Sequence, residues 1–388
     1  MKKIPQAVLI LGFASLLTDV ASEGIYPVLP LFLSQVLGAG PLALGVIEGV
    51  AETTASLLKV FSGFWADRLK KRKPLIVLGY GLSSFLRPLI GIAQTWPMVL
   101  FFRFMDRVGK GIRSSPRDAL IADVTTPANR GLSYGIHSAM DSAGALMGPL
   151  IAATLVYSLK MDLRKIILLS AIPSLAAWLT LWLLKEKSRS TPKKISPFNP
   201  LRDWKKLNLS FKGLLAILLI FTLGNSTDAF LLIRLSQVGV TAVGVMVLWA
   251  CFSGVKMISA YYGGQFSDRW GRKPLIVSGW FYYALVYLAF ALVSGTFATI
   301  AIFLAYGVYY GLCEPSEKAF VADLVPKDLR GTSFGYYNLV IGLGALPASL
   351  LFGFVGQLWG YPAAFAVGAG LAGLAAILLL FIQPRRTS

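Results

Sequence analysis

The chain has 388 residues, 56% hydrophobic and 14% charged, with mean hydropathy +0.67. A soluble fold of this length could not hide that much apolar surface, which excludes an ordinary soluble enzyme or binding domain. The formal charge of +19 would suit nucleic acid, but the basic residues concentrate in short connections between apolar stretches, so no nucleic-acid partner is expected. Cys251 and Cys313 both lie in apolar runs and make neither a disulfide framework nor a metal-ligand pattern.

Apolar segments of about 20 residues recur, the length that crosses a bilayer core. Lipid offers backbone groups no partners, so each segment is predicted as an α-helix. The absence of period-2 alternation argues against a membrane barrel. Twelve spans are expected, at 7–37, 42–66, 74–94, 97–121, 131–158, 165–184, 213–235, 243–266, 275–294, 298–321, 333–357 and 361–383. The start, Met1-Lys2-Lys3 and then apolar residues, imitates a signal peptide. Asp19 and Glu23 fall inside that stretch and further spans follow, so it is read as an uncleaved first helix. Lys- and Arg-rich connections at 68–73, 185–212, 269–273 and the tail Arg385-Arg386 alternate with connections near 38–41, 95–96, 236–242 and 295–297 that carry neither residue. Lys160 to Lys165 is the exception. The asymmetry predicts both termini in the cytoplasm. The fold class expected is therefore an all-α integral membrane protein: a six-helix bundle at 1–184, a cytoplasmic linker at 185–212 and a second six-helix bundle at 213–388.

The halves repeat. After span 2 comes Gly63-Phe64-Trp65-Ala66-Asp67-Arg68, running on to Lys70-Lys71-Arg72-Lys73-Pro74; after span 8 comes Gly264-Gln265-Phe266-Ser267-Asp268-Arg269-Trp270-Gly271-Arg272-Lys273-Pro274. Ala122-Asp123 with Arg130-Gly131-Leu132-Ser133-Tyr134-Gly135 matches Ala322-Asp323 with Arg330-Gly331-Thr332-Ser333-Phe334-Gly335. Thr18-Asp19 has a counterpart in Thr227-Asp228. Parallel six-span repeats with a site at their interface are a transporter architecture.

On these residues the chain resembles the major facilitator superfamily. The loop after span 2 is similar to its G-x-x-x-D-R-x-G-R-[KR] motif at Gly63, Asp67, Arg68, Arg72 and Lys73. The loop after span 8 is closer to it, at Gly264, Asp268, Arg269, Gly271, Arg272 and Lys273; the first copy has Lys70-Lys71 in place of the glycine step. Span 4 has the motif arginine Arg103 and Gly109, with Asp106-Arg107 where the family has Gln-Gly. Gly144-Ala145-Leu146-Met147-Gly148-Pro149 in span 5 is similar to the G-x-x-x-G-P motif of the drug–proton antiporter branch, with Ala152-Ala153 replacing its following glycines. The resemblance covers essentially the whole chain and implies a twelve-span secondary transporter of that general type.

It also implies a cytoplasmic gate built from Gly63, Asp67, Arg68, Gly264, Asp268 and Arg269. The glycines would let helices approach closely. Each aspartate could accept from the N-terminus of an adjacent helix and from its arginine. The competing reading is positive charge that only sets topology.

Ionisable residues inside spans cost about 2.5–3.5 kcal/mol each on insertion scales, and the first half holds most of them. Asp19 and Glu23 share a face of span 1; Glu48, Glu52 and Lys59 form a stripe on span 2; Arg103, Asp106, Arg107, Lys110 and Arg113 recur along span 4; His137 and Asp141 lie four apart on span 5. At ~1.5 Å rise per residue, Asp19, Asp106, Arg107 and Asp141 fall near the midplane. The resemblance places spans 1, 4 and 5 in one bundle, so Arg107 is expected opposite Asp19 or Asp141. The proton-coupling network is assigned to Asp19, Glu23, Arg103, Asp106, Arg107, His137 and Asp141, against a static network that fastens the bundle; His137, near a helix end, also fits a satisfied structural histidine. In the second half, Asn225, Asp228, Lys256, Tyr306, Tyr310, Glu314 and Asn338 are expected to line a substrate cavity for an organic solute of mixed polarity, against ordinary helix packing. Lys256 needs Asp228, Glu314 or an anionic substrate as partner.

Gly131-Leu132-Ser133-Tyr134-Gly135 and Gly331-Thr332-Ser333-Phe334-Gly335 match G-x-S-x-G, but they open membrane helices and lack a hydrolase elbow's strand–turn–helix setting, so they are read as small-residue packing. No P-loop or HExxH occurs. The reading is a monomeric, proton-coupled transporter in the cytoplasmic (inner) membrane, with no enzyme activity and no cofactor. It moves a small amphipathic compound by alternating access, export favoured. The rivals are transport of a metal ion or chelate through Asp19, Glu23, His137 and Asp141, and a non-transporting sensor or lipid-handling protein.

Overall fold

The computed structural model describes residues 4–26, 28–39, 41–186, 204–225 and 228–382, with no strand among them. Thr227, the tail Arg385-Arg386, most of the 185–212 linker and the Glu48 side chain lie outside that description. The helices run in chain order as α1 (Gln6–Ile25), α2 (Pro41–Arg68), α3 (Lys73–Leu86), α4 (Trp96–Val124), α5 (Arg130–Tyr157) and α6 (Leu163–Leu183). The second set is α7 (Leu209–Gly224, resumed as Ala229–Gln237), α8 (Ala242–Trp270), α9 (Arg272–Leu292), α10 (Thr296–Leu324), α11 (Lys327–Gly356) and α12 (Leu358–Leu380). α11 and α12 form one helical run broken at Gly360, whose φ of 84° lies in the left-handed region that glycine tolerates.

Local chemistry explains the starts. Pro74, Pro97 and Pro274 sit in the first turns of α3, α4 and α9, where a missing N–H costs nothing. The side chains of Asn208 and Thr241 cap α7 and α8 by accepting from Phe211 N (2.7 Å) and Gly244 N (3.2 Å). The first predicted span, 7–37, is shorter as a helix. α1 ends at Ile25, and a short helix (Val28–Leu31) and a wide turn (Phe32–Val36) complete the crossing near Pro30, which withdraws a backbone donor.

Eight described helices are long and apolar enough to cross a membrane. α2, α4, α7 and α8 supply the remaining four of the twelve. α4 alone carries Arg103, Asp106, Arg107, Lys110 and Arg113, and α7 is interrupted.

The contacts divide the chain into two units that do not follow the sequence halves at their margins. The first comprises Met1–Thr125, Met140–Phe198 and Asp328–Gly335; the second comprises Thr126–Ala139, Asn199–Lys327 and Tyr336–Ser388. Each half thus lends the opening turns of one helix, α5 or α11, to the other half's unit. Within the first unit, Ile25, Phe32, Ile47, Ile90 and Ile167 form a buried apolar cluster. There α5 meets α1 at close range: a side chain added at Gly144 would strike Leu16 O at 2.4 Å, and one at Gly148 would strike Val20 O at 2.6 Å. This is the packing role of the Gly-x-x-x-Gly-Pro stretch.

Candidate functional site

The two basic turns build matching clusters. In the first unit, Asp67 at the end of α2 accepts from the first free N–H groups of α11, Gly331 N at 2.8 Å and Thr332 N at 2.7 Å. In the second unit, Asp268 at the end of α8 accepts from the start of α5, Gly131 N and Leu132 N, both at 2.9 Å. A carboxylate there meets orphan donors and the positive end of the helix dipole. Close backbone approach makes it possible: a Cβ at Gly63 would lie 2.0 Å from Gly331 O, and one at Gly264 would lie 2.3 Å from Gly131 O. Gly135 and Gly335 also pack closely, on Ala260 O (2.4 Å from an added Cβ) and on Val60 Cα (2.9 Å). The G-x-S-x-G look-alikes are therefore helix-packing surfaces.

Two further arginines, one from each turn, pair with these aspartates. Arg72, with a fully buried side chain, pairs with Asp67 (2.9 Å) and Asp123 (3.2 Å), and Arg330 completes the group on Asp123 at 2.9 Å. Arg272 pairs with Asp268 (2.5 Å) and Asp323 (3.2 Å), with Arg130 also on Asp323. Arg68 lies over its own Phe64 ring, 3.2 Å from the centroid. The pairing has a steric reason: Arg68 and Arg269 precede the bend of the chain, whereas Arg72 and Arg272 follow it and point back. The second turn bends at Gly271 (φ 93°), while the first, one residue longer, bends with no left-handed residue. That is why Lys70-Lys71 can replace the glycine step. Lys73 Nζ and Lys273 Nζ then cap the last carbonyls of α6 and α12, at Leu184 O (2.7 Å) and Leu380 O (2.6 Å). Glu186 closes the first turn with one oxygen on each of Arg72 N and Lys73 N, both 2.8 Å.

The interior of the first unit is ionic. Asp106, 1% exposed, pairs with Arg87 at 2.8 Å and Arg103 at 3.6 Å. Arg87 also donates to Thr18 O of α1 (3.0 Å), tying α1, α3 and α4 together. Sequence reasoning missed Arg87; the signal available was a single arginine inside an otherwise uncharged span. Arg107, expected opposite Asp19 or Asp141, reaches Glu52 of α2 at 3.1 Å. The charged groups acting on buried Asp19 are Asp141, Glu23, Lys110 and Arg113. Lys110 acts on Glu52 as well, so it stands between two acids. Arg113 donates to Ser83 Oγ (2.6 Å) and lies over Tyr80, while Arg117 reaches Ser15 (3.1 Å). His137, grouped by sequence with Asp19, Glu23 and Asp141, belongs to the second unit. It is 1% exposed there and acts on Glu314. It lies in the opening of α5 that docks on Asp268, one turn before Asp141 on the same helix. Among the described residues no group of three or more His, Cys, Asp or Glu is arranged to hold a metal ion.

The interior of the second unit is aromatic and polar. A cavity of about 270 Å³ is lined by Asn225, Lys256, Tyr310, Glu314 and Asn338, together with Phe221, Tyr309, Glu317, Lys318 and Tyr337. Five of the seven predicted residues are in its wall. The other two stand behind Tyr310: the Tyr306 and Tyr310 hydroxyls donate to Asp228 at 3.1 and 3.3 Å. Lys256 Nζ sits 4.1 Å from the Tyr310 ring centroid and 5.4 Å from that of Phe252. Glu314 accepts from Lys318 (2.8 Å). Glu317, one turn on and absent from the predicted set, accepts from Trp280 Nε1 (2.9 Å) and Tyr337 Oη (2.8 Å). Its only sequence signal is a carboxylate deep in an apolar span. A cavity in the first unit, about 390 Å³ between α1, α5 and α6, is instead almost wholly apolar, with Val20, Ile151, Ile166 and Pro173 in its wall.

Comparison with known proteins agrees with this architecture. The model of the Major Facilitator Superfamily matches residues 11–348 and 236–388. A Methanocaldococcus jannaschii protein named as an uncharacterized MFS-type transporter is 33% identical over 387 residues, covering 98% of this chain and 96% of its own. Multidrug resistance protein MdtH of Salmonella newport is 23% identical over 354 residues, 90% of this chain and 84% of its own. Two crystal structures share the fold. The human organic anion transporter MFSD10 has a TM-score of 0.82 at 15% identity, over 97% of this chain and 100% of its own. The Escherichia coli fucose:proton symporter FucP has a TM-score of 0.79 at 15% identity, over 97% of this chain and 98% of its own.

Proposed function

Since the chain belongs to the major facilitator superfamily and is a multi-pass membrane transporter, not an enzyme, we propose that it carries a small organic solute of mixed polarity across the cytoplasmic membrane by proton-coupled alternating access. Export is the favoured direction, supported by the span 5 motif and by the relative named for multidrug resistance. The neighbour named as a proton symporter supports a proton as coupling ion. Both termini are assigned to the cytoplasm from the distribution of Lys and Arg, and the protein acts as a monomer.

One observation carries the reading: the Lys256–Tyr310–Glu314 cavity combines a few converging polar groups with aromatic walls, the composition of a small-molecule site. Coupling is assigned to the other interior. Arg87, Arg103 and Asp106 form a braced ion group. Asp19 shares its surroundings with a second carboxylate, Asp141, and with Lys110. A carboxylate whose partners change between states gains and loses a proton as they change. The clusters around Asp67 and Asp268 are proposed as the latch that forms in one state and opens in the other.

The test is a solute screen in proteoliposomes with and without an imposed pH gradient. Asp19→Asn and Asp141→Asn should abolish gradient-driven uptake while sparing solute counterflow. Intact gradient-driven transport in both variants would remove the coupling assignment.

A further inference from the structure

We infer that the cavity of the second unit takes an organic anion, its charged group held by Lys256 Nζ, Asn225 Nδ2 and the Tyr309 hydroxyl. The inference rests on reading that cavity as the solute site. It follows from an accounting of donors and acceptors.

The carboxylates in and behind the wall each accept from a protein donor. Glu314 takes the Lys318 ammonium (2.8 Å), and the two charges cancel. Both oxygens of Glu317 are covered, by Trp280 (2.9 Å) and Tyr337 (2.8 Å). Asp228 is screened from the space by Tyr306 and Tyr310, which donate to it.

The donors are in surplus. Among the described residues, Lys256 Nζ makes no ion pair or hydrogen bond; it lies against the Tyr310 and Phe252 rings, with its charge also felt by Asp228 and Glu314. The Tyr283 hydroxyl shares its one proton between Gly224 O (3.1 Å) and Asn225 Oδ1 (3.2 Å), and neither N–H of the Asn225 amide donates to a described residue. Tyr309 is 6% exposed, and its hydroxyl likewise donates to no described residue. Tyr309 lines the cavity. An anionic group uses an ammonium, an amide N–H and a phenol O–H together, whereas a cation meets three donors it cannot accept from. The Phe221, Tyr310 and Tyr337 rings in the lining offer an aromatic wall for the rest of the molecule, with Trp280 stacked behind Phe221 at a centroid distance of 4.5 Å. The cavity volume of about 270 Å³ limits the solute to a small one.

The experiment uses the full chain in phosphatidylcholine nanodiscs and three probes of one shape: 2-naphthoate, 2-naphthylmethylamine and 2-naphthylmethanol, titrated calorimetrically. Naphthoate should bind about tenfold or more tightly than the amine. Lys256→Met should weaken naphthoate by about tenfold or more and shift the alcohol by less than about threefold, which also shows that the variant is folded. Lys256→Arg should keep naphthoate affinity within about threefold. Tighter binding of the amine, or naphthoate affinity unchanged in Lys256→Met, would overturn the anion assignment while leaving a solute site. Competition by added phosphatidylglycerol would move the anion to a lipid headgroup and overturn it too. Binding of none of the three probes would remove both the anion and the solute-site readings.

Discussion

The two units agree at their basic turns and disagree in their interiors. The register set by Asp123 with Asp323 and Arg130 with Arg330 puts Tyr287, Tyr306 and Tyr310 where the first half has Arg87, Asp106 and Lys110. At one set of positions the first unit makes the Arg87–Asp106 pair at 2.8 Å. At the matching set the second unit packs Tyr287 and Tyr306 with ring centroids 6.0 Å apart, and Tyr306 and Tyr310 at 5.4 Å. The same backbone places a charge network in one copy and an aromatic wall in the other. The difference teaches that the turns serve a requirement common to both copies, the seating of a helix N-terminus on an aspartate, while the interiors are free to take separate tasks.

Three perturbations break or sharpen this comparison. The largest effect is expected from Arg87→Met, which removes the shorter of Asp106's two ion pairs, leaves only Arg103 at 3.6 Å, and should cost about 3 kcal/mol. It should be read as a lower denaturation midpoint in detergent, with partial recovery in Arg87→Met/Asp106→Asn. Tyr287→Phe at the matching position loses one neutral hydrogen bond with Tyr283 and should cost about 1 kcal/mol, and equal losses at the two positions would end the claim that the interiors differ. Next come the turns. Asp67→Asn and Asp268→Asn each remove charge-assisted bonds to two backbone donors and should cost about 1.5–3 kcal/mol. The two losses should match, with a shift in the accessibility of cysteines placed on either side of the membrane. A loss confined to one copy would show that the turns are not equivalent. The smallest contrast lies within the turns themselves: Gly271→Ala strains a left-handed bend by about 1–3 kcal/mol, whereas Lys71→Ala should stay within about 0.5 kcal/mol. A large effect of Lys71→Ala would mean that the longer turn depends on that side chain.

Much of the fold was legible because lipid simplifies the code. Apolar length gives the spans, Lys and Arg give the sides, and two motif copies give the repeat. Even α2 and α4, whose charges obscure them as membrane helices, are recoverable from the register. Less of the site was legible. Which arginine of a basic turn reaches the aspartate depends on where the chain bends, so Arg72 and Arg272 could not be told from Arg68 and Arg269. Which acid faces which base depends on how each helix is rotated about its axis. Span 4 offers five charged residues at helical spacing, and spacing alone cannot assign Arg107 to Glu52 or Asp106 to Arg87. The cavity wall was more readable, because Lys256, Tyr310 and Glu314 were unusual for their spans, while Glu317 was hidden by its nearness to Glu314. His137 and Asp141 share the continuous helix α5, whose opening turns pack in the second unit and whose remainder packs in the first, and nothing in a periodic pattern marks where that handover falls.

The exchanged helix openings also set an order of events during synthesis. Asp67 takes its two backbone donors from Gly331 and Thr332, separated from it by 264 and 265 residues. Asp268 finds Gly131 and Leu132 already made, 137 and 136 residues earlier. The second turn can therefore close as soon as it leaves the ribosome. The first must wait, with Arg72 as the partner at hand, until the eleventh helix begins. Insertion of the nascent chain is thus complete at its front end only when its back end arrives, and a chain truncated before Arg330 carries an open acid at that turn for whatever quality-control machinery reads it.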